Sequence, residues 1–128
     1  MVVDSSVWID YFNGVGSPEV ERLDQTVGVD PIVVGDLVLT EVLQGFRSDA
    51  DLAAARSALD AFEIVPMLGY DLAIRTAENY RALRVRGVTV RKTIDMIIGP
   101  FCIERGLALL FSDRDFQPLV DHLGLQVA

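Results

Sequence analysis

Short β-branched runs alternate with longer helix-period segments along this chain, and that alternation limits its architecture more than any other feature. A strand, a helix and a second strand in succession form a crossover unit, which makes the strands parallel and puts helices on the sheet's faces. Residues 1–4 read as a short buried strand and residues 5–13 as a helix, stopped by Gly14 and Gly16. Ser17-Pro18-Glu19 carries a helix start with proline at the first helical position. Residues 31–34 form a second β-branched run, and Gly35-Asp36 opens a helix that reaches Phe46. An alanine-rich helix over 51–61 leads into a strand at Glu63–Val65, ended by Pro66. Tyr70–Val85 reads as the longest helix and 93–104 as another. A strand at 107–111, a single helical turn at 115–119 and an edge strand at 125–127 complete the pattern. The expectation is an α/β fold with a mostly parallel sheet, in one domain over residues 1–128. With 51% hydrophobic residues the chain can fill a core, and its apolar runs are too short or too interrupted to span a bilayer. The start, Met1-Val2-Val3-Asp4, has no basic region ahead of an apolar one, so the expected location is the cytoplasm. Cys102, the one cysteine, lies between Phe101 and Ile103 and reads as core filler.

Acidic residues stand at the turning points of this pattern. In parallel sheets, ligands bind beyond the carboxyl ends of the strands. Asp4 follows the first strand directly, and Asp113 and Asp115 follow the late one. Asp4 and Asp113 can also serve as helix caps, a common job for aspartate. Glu41 falls at the boundary of an apolar helix face made by Val38, Leu39, Val42, Leu43 and Phe46, where a solvated rim is the plain alternative. Asp95 is the only charged side chain between Ile94 and Ile103, in a helix apolar nearly all round. A helix N-terminus favours an acid there by ~0.3–1 kcal/mol, which explains tolerance but not choice.

Four carboxylates drawn together repel by about 3 kcal/mol per close pair at an effective dielectric near 20. Partial protonation or a bound cation relieves that repulsion. Oxygen ligands without histidine suit Mg²⁺, with Mn²⁺ as a substitute, rather than Zn²⁺. The single histidine, His122, is expected on the surface, and one histidine rules out paired-histidine ribonuclease chemistry. No nucleophile elbow and no phosphate-cradling glycine loop is present. Metal-assisted phosphodiester hydrolysis is what remains. A net charge of −8 disfavours a broad electrostatic grip on nucleic acid. Arg81, Arg84, Arg86, Arg91 and Lys92, however, form a stretch without acids between Glu78 and Asp95, suited to flanking phosphates or to a solvated helix end.

These residues closely resemble the motifs of the PIN-domain ribonuclease toxins of the VapC kind. The opening Val3-Asp4-Ser5-Ser6-Val7-Trp8-Ile9-Asp10-Tyr11-Phe12, then Leu39-Thr40-Glu41-Val42-Leu43-Gln44-Gly45, then Arg91-Lys92-Thr93-Ile94-Asp95-Met96-Ile97-Ile98, and Ser112-Asp113-Arg114-Asp115-Phe116 match the family in order and across nearly the whole chain. The resemblance implies a PIN-like three-layer α/β/α sandwich. It implies Asp4 and Asp95 as principal Mg²⁺ ligands, Glu41 and Asp113 completing the acidic pocket, Asp115 as a further member, and Ser6 and Ser112 as supporting hydroxyls. It also implies a toxin that cuts RNA (transfer RNA preferred, ribosomal or messenger RNA as alternatives) and is restrained by a VapB-type antitoxin. DNA would be engaged only indirectly, through that antitoxin, and a homodimer is expected. Trp8, Tyr11, Phe12 and Phe46 are candidate antitoxin contacts, with core packing as their other role. Gly99-Pro100 departs from the family pattern and should kink the helix beyond Asp95. A non-catalytic PIN scaffold and a Mg²⁺-binding phosphoacceptor domain are the alternatives. The second needs a lysine after a late strand, and the only lysine, Lys92, precedes the late helix.

Overall fold

A computed structural model describes residues 1–128, in which four short strands build one sheet. They are β1 (Val2–Val3), β2 (Val33–Gly35), β3 (Glu63–Val65) and β4 (Leu109–Leu110), in the order β3-β2-β1-β4 and parallel throughout. Val2 sits opposite both Val33 and Leu109, and Val33 opposite Glu63. The expected last edge strand contracts to a bridge between Leu109 and Val127, where the Leu109 N–H donates to the Gln126 carbonyl at 2.9 Å. Both residues of β1 are fully buried, as a central strand covered on two faces requires.

The seven helices are α1 (Ser5–Phe12), α2 (Pro18–Thr26), α3 (Asp36–Gln44), α4 (Asp49–Leu59), α5 (Tyr70–Val85), α6 (Asp95–Arg105) and α7 (Gln117–Leu123), the last preceded by a 3-10 turn at Arg114–Phe116. Parallel crossovers are right-handed almost without exception. The chain steps from β1 to β2 to β3 in one direction, so α1–α4 cover one face of the sheet. It then returns past β1 to β4, so α5 and α6 cover the other. Helix contacts agree: α1 packs on α2 and α3, and α5 packs on α6. The architecture is therefore the three-layer sandwich with a parallel sheet expected from the sequence, although β1 and β4 are shorter than the apolar runs that contain them.

Caps explain the helix boundaries. Ser17 Oγ accepts from the Val20 N–H at 3.1 Å, and Pro18 at the first position has no N–H to satisfy. The alanine-rich helix starts at Asp49 rather than 51 because Ser48 Oγ caps it, accepting from the Asp51 N–H at 3.3 Å. Helix α6 runs through Gly99-Pro100 to Arg105, so the expected kink does not end it. A Cβ at Gly99 would fall 2.0 Å from Leu119 Cδ2, and Leu119 is fully buried. The glycine is therefore what lets α7 close on α6. No helix is long and apolar enough to cross a membrane.

Candidate active site

Strand order reverses beside β1: β2 and β3 lie to one side of it and β4 to the other. The crevice beyond the carboxyl ends of β1 and β4 is where a parallel α/β sheet binds ligands. Asp4 follows β1 there, and its N–H donates to the Leu110 carbonyl of β4 at 2.9 Å. Ser6 donates twice to Asp4 Oδ2, from its N–H at 3.2 Å and from Oγ at 2.6 Å. Asp4 thus caps α1 and lines the crevice at once. Asp113 repeats the arrangement after β4, with Oδ1 accepting from the Asp115 N–H at 2.9 Å.

Helices supply the other two acids. Asp95 is the first residue of α6, and Glu41 projects from α3, where Ser5 Oγ donates to its Oε1 at 3.2 Å. Asp4, Glu41, Asp95 and Asp113 line one cavity of about 290 Å³ together with Ser5, Ser6 and Lys92. Asp95, Asp113 and Asp115 can each turn one carboxylate oxygen to within 4.8 Å of the others.

The electrostatics of the cavity are unbalanced. Burial pushes the Asp95 carboxyl up to about 7, and the neighbouring Asp4 charge adds to the rise. Burial also raises Asp4, against the pull of the Ser6 hydrogen bonds, and raises Glu41, with Asp4 again contributing. Asp113 moves the other way. Burial opposes its ionisation, but the Asp115 N–H and the Lys92 ammonium prevail and hold it low. Lys92 Nζ donates to Asp113 Oδ2 at 3.0 Å, and that bond raises the lysine in turn. Asp95 Oδ2 is buried with no hydrogen-bond partner. An orphaned carboxylate oxygen costs ~1–3 kcal/mol, which protonation or a bound cation relieves. An all-oxygen donor set around it fits a hard divalent cation such as Mg²⁺ or Mn²⁺.

The structure separates the other candidate residues. Asp115 sits at the rim, 3.5 Å from Arg91 Nη2. Ser112 is exposed and lies outside the cavity lining. Ser5, which was not among the candidates, donates to Glu41. The two serines after Asp4 look alike in the sequence, and only the helix start decides which one faces α3. Gln44, one turn after Glu41, also lines the cavity and carried no signal beyond its i+3 spacing. Of the basic stretch, Lys92 lines the cavity and Arg91 reaches its rim. Arg81, Arg84 and Arg86 are exposed elsewhere. Arg81 and Arg84 border an apolar groove between α5 and α6, and Arg86 lies 3.3 Å from the exposed His122 ring.

Trp8 is 1% exposed, packed on Phe12 and Phe62 at centroid distances of 5.9 and 5.5 Å. It belongs to the core and offers no surface to a partner, which corrects its candidacy as an antitoxin contact. Tyr11, Phe12 and Phe46 remain half-buried at the margin of that cluster. Cys102 is buried, and burial pushes its thiol up to about 12.

A family model described as the PIN domain matches residues 1–120. Ribonuclease VapC11 of Mycobacterium tuberculosis is 30% identical over 134 residues, covering 100% of this chain and 97% of the relative. Among solved structures, a chain of the Rickettsia felis VapBC2 complex, bound to a DNA fragment from its promoter, superposes with a TM-score of 0.79. It is 14% identical and covers 99% of this chain and 96% of that one. Mycobacterium tuberculosis VapC20, described as a Sarcin-Ricin loop cleaving toxin, superposes with a TM-score of 0.66 at 16% identity, over 91% and 92% of the two chains. At such identities the structural likeness speaks for the fold alone.

Proposed function

This chain belongs to the PIN-domain family, and from that premise we propose that it is a divalent-metal-dependent endoribonuclease, the VapC-type toxin of a toxin–antitoxin pair. One observation carries the reading: the buried, unpartnered Asp95 Oδ2 lies in a cavity shared with three further carboxylates. Asp4, Asp95, Glu41 and Asp113 would hold Mg²⁺, with Asp115 at the rim. When bound, the ion supplies Lewis acidity, making water a better nucleophile and offsetting charge at a scissile phosphate.

The chain's own residues set the geometry. Ser6 fixes one face of Asp4 through two hydrogen bonds, so the other oxygen is left for the cavity. Ser5 orients Glu41 in the same way, and the Asp115 N–H orients Asp113. Asp4, Glu41 and Asp113 are thereby held in place before a ligand arrives, which limits the ordering cost of binding. Arg91 at the rim and Lys92 in the cavity lining would meet phosphates flanking the cut, and Arg81, Arg84 and Arg86 would extend a basic edge along the C-terminal part of α5 and its cap.

RNA is the proposed substrate, with transfer RNA the first choice and ribosomal or messenger RNA as alternatives. A VapB-type antitoxin would restrain the activity, touching Tyr11, Phe12 and Phe46, and DNA would be met only through it. A homodimer in the cytoplasm, each copy one domain over residues 1–128, is the proposed working state. The test is cleavage of structured RNAs by the purified protein with MgCl₂ or EDTA, with 5′-end mapping. Mg²⁺-dependent products with 5′-phosphates, lost in Asp95→Asn, support the reading. Cleavage that survives EDTA or Asp95→Asn refutes it.

A further inference from the structure

We propose that Lys92 is a tethered counter-ion of the acidic cavity: its ammonium holds Asp113 in the metal-free protein, lets go when a divalent ion arrives, and then meets an RNA phosphate. The inference rests on the nuclease reading above. It concerns the one lysine in a chain whose other ten basic residues are all arginine. That single ammonium lies in the acidic cavity, 3.0 Å from Asp113 Oδ2.

Three features make the contact exchangeable. Asp113 does not need Lys92 to orient it, because the Asp115 N–H already holds Oδ1 at 2.9 Å. Removing the ammonium leaves Oδ2 aimed as before. The Lys92 side chain is 55% exposed, so its stem can swing into solvent, and exposed ion pairs of this kind hold weakly. An ammonium is a compact point charge on a flexible stem, whereas a guanidinium would grip the carboxylate through two parallel bonds. The contact is also aimed where a cation is wanted. Asp113 is one of three acids with a carboxylate oxygen within 4.8 Å of the others, and Asp95 Oδ2 makes no hydrogen bond to Lys92 or to any other group. Lys92 therefore spends its hydrogen bond on the Asp113 side of the cavity and leaves the Asp95 oxygen unbonded. An ammonium and a divalent ion on the same carboxylate repel each other, so one must give way.

Neutralising Lys92 should accordingly tighten metal binding while weakening RNA binding, opposite signs that a general loss of structure cannot produce. The experiment is calorimetric titration of the full chain and of Lys92→Met with MgCl₂, alongside steady-state cleavage of a labelled RNA hairpin at saturating MgCl₂. The expected result is Mg²⁺ affinity about tenfold higher in Lys92→Met, from loss of the competing charge, and a KM for RNA several-fold higher. Lys92→Arg should bring the RNA KM back toward the parent and leave Mg²⁺ affinity at or below the parent's, because the guanidinium grips Asp113 more firmly. Unchanged or weaker Mg²⁺ affinity in Lys92→Met overturns the proposal, as does an unchanged KM. Absence of Mg²⁺ uptake by either protein overturns the metal reading itself and this role with it. Equal uptake by both overturns the role alone.

Discussion

Neutralising Asp95 should stabilise the metal-free protein at neutral pH, and the gain should vanish in acid. Its side chain is 3% exposed, one carboxylate oxygen has no partner, and its pKa lies near 7 instead of 3.8. An acid whose folded pKa lies above its unfolded value keeps its proton in the folded protein after the unfolded chain has released it. Stability then falls as pH rises between the two values, by about 1.4 kcal/mol per unit. The window runs from about pH 4 to about pH 7. Below it both states are protonated, and above it both are ionised and the penalty is constant. A shift of about three units sets a ceiling near 4 kcal/mol, and solvent in the open cavity lowers what is realised to ~2–3 kcal/mol. Against a typical total of roughly 5–15 kcal/mol this is readily measured. Asp95→Asn keeps the side chain's shape and removes its charge. Urea unfolding of both proteins in EDTA, from pH 4 to pH 8, should give a stability difference that starts near zero and grows in favour of the variant. Magnesium should then raise the stability of the parent at pH 8 and leave the variant nearly unmoved, because only a ligand of the folded state adds stability. A difference that is flat across the range, or a variant weaker than the parent at pH 8, would refute the reasoning. Either result would mean that the protein already compensates the Asp95 charge.

Asp4→Asn should separate the two jobs of Asp4, since asparagine caps a helix about as well as aspartate. Stability should stay within about 0.5 kcal/mol while RNA cleavage drops at least about 100-fold, and Asp4→Ala should lose about 1 kcal/mol as well; a cleaving Asp4→Asn protein would remove Asp4 from the metal site. Gly99→Ala should destabilise by ~1–3 kcal/mol in urea, because its Cβ would meet a fully buried Leu119 side chain that has nowhere to go. Trimming that neighbour in Gly99→Ala/Leu119→Val should recover part of the loss, and a Gly99→Ala protein as stable as its parent would show that α7 can shift.

Much of this molecule can be read locally, and the reason is that local physics decides it. The periodicity of Tyr70–Val85 and the β-branched run at Glu63–Val65 match the observed elements residue for residue, because apolar spacing alone specifies them. The alanine-rich helix starts two residues before its periodic pattern, because Ser48 caps it and periodicity does not register a cap. The acids stood out for a similar reason: a lone Asp95 in an apolar helix is costly whatever surrounds it. Which of them share a cavity depends on strand order, and strand order depends on a return of the chain past β1 that no local window contains. The same holds for Ser5 serving Glu41 across 36 residues, for the exposure of Ser112 and the burial of Trp8, and for Lys92 reaching Asp113 across 21 residues. A side chain's type follows from its codon and its element from its neighbours, but its partner is set by packing between segments far apart in the chain, and here packing decided where the charges meet.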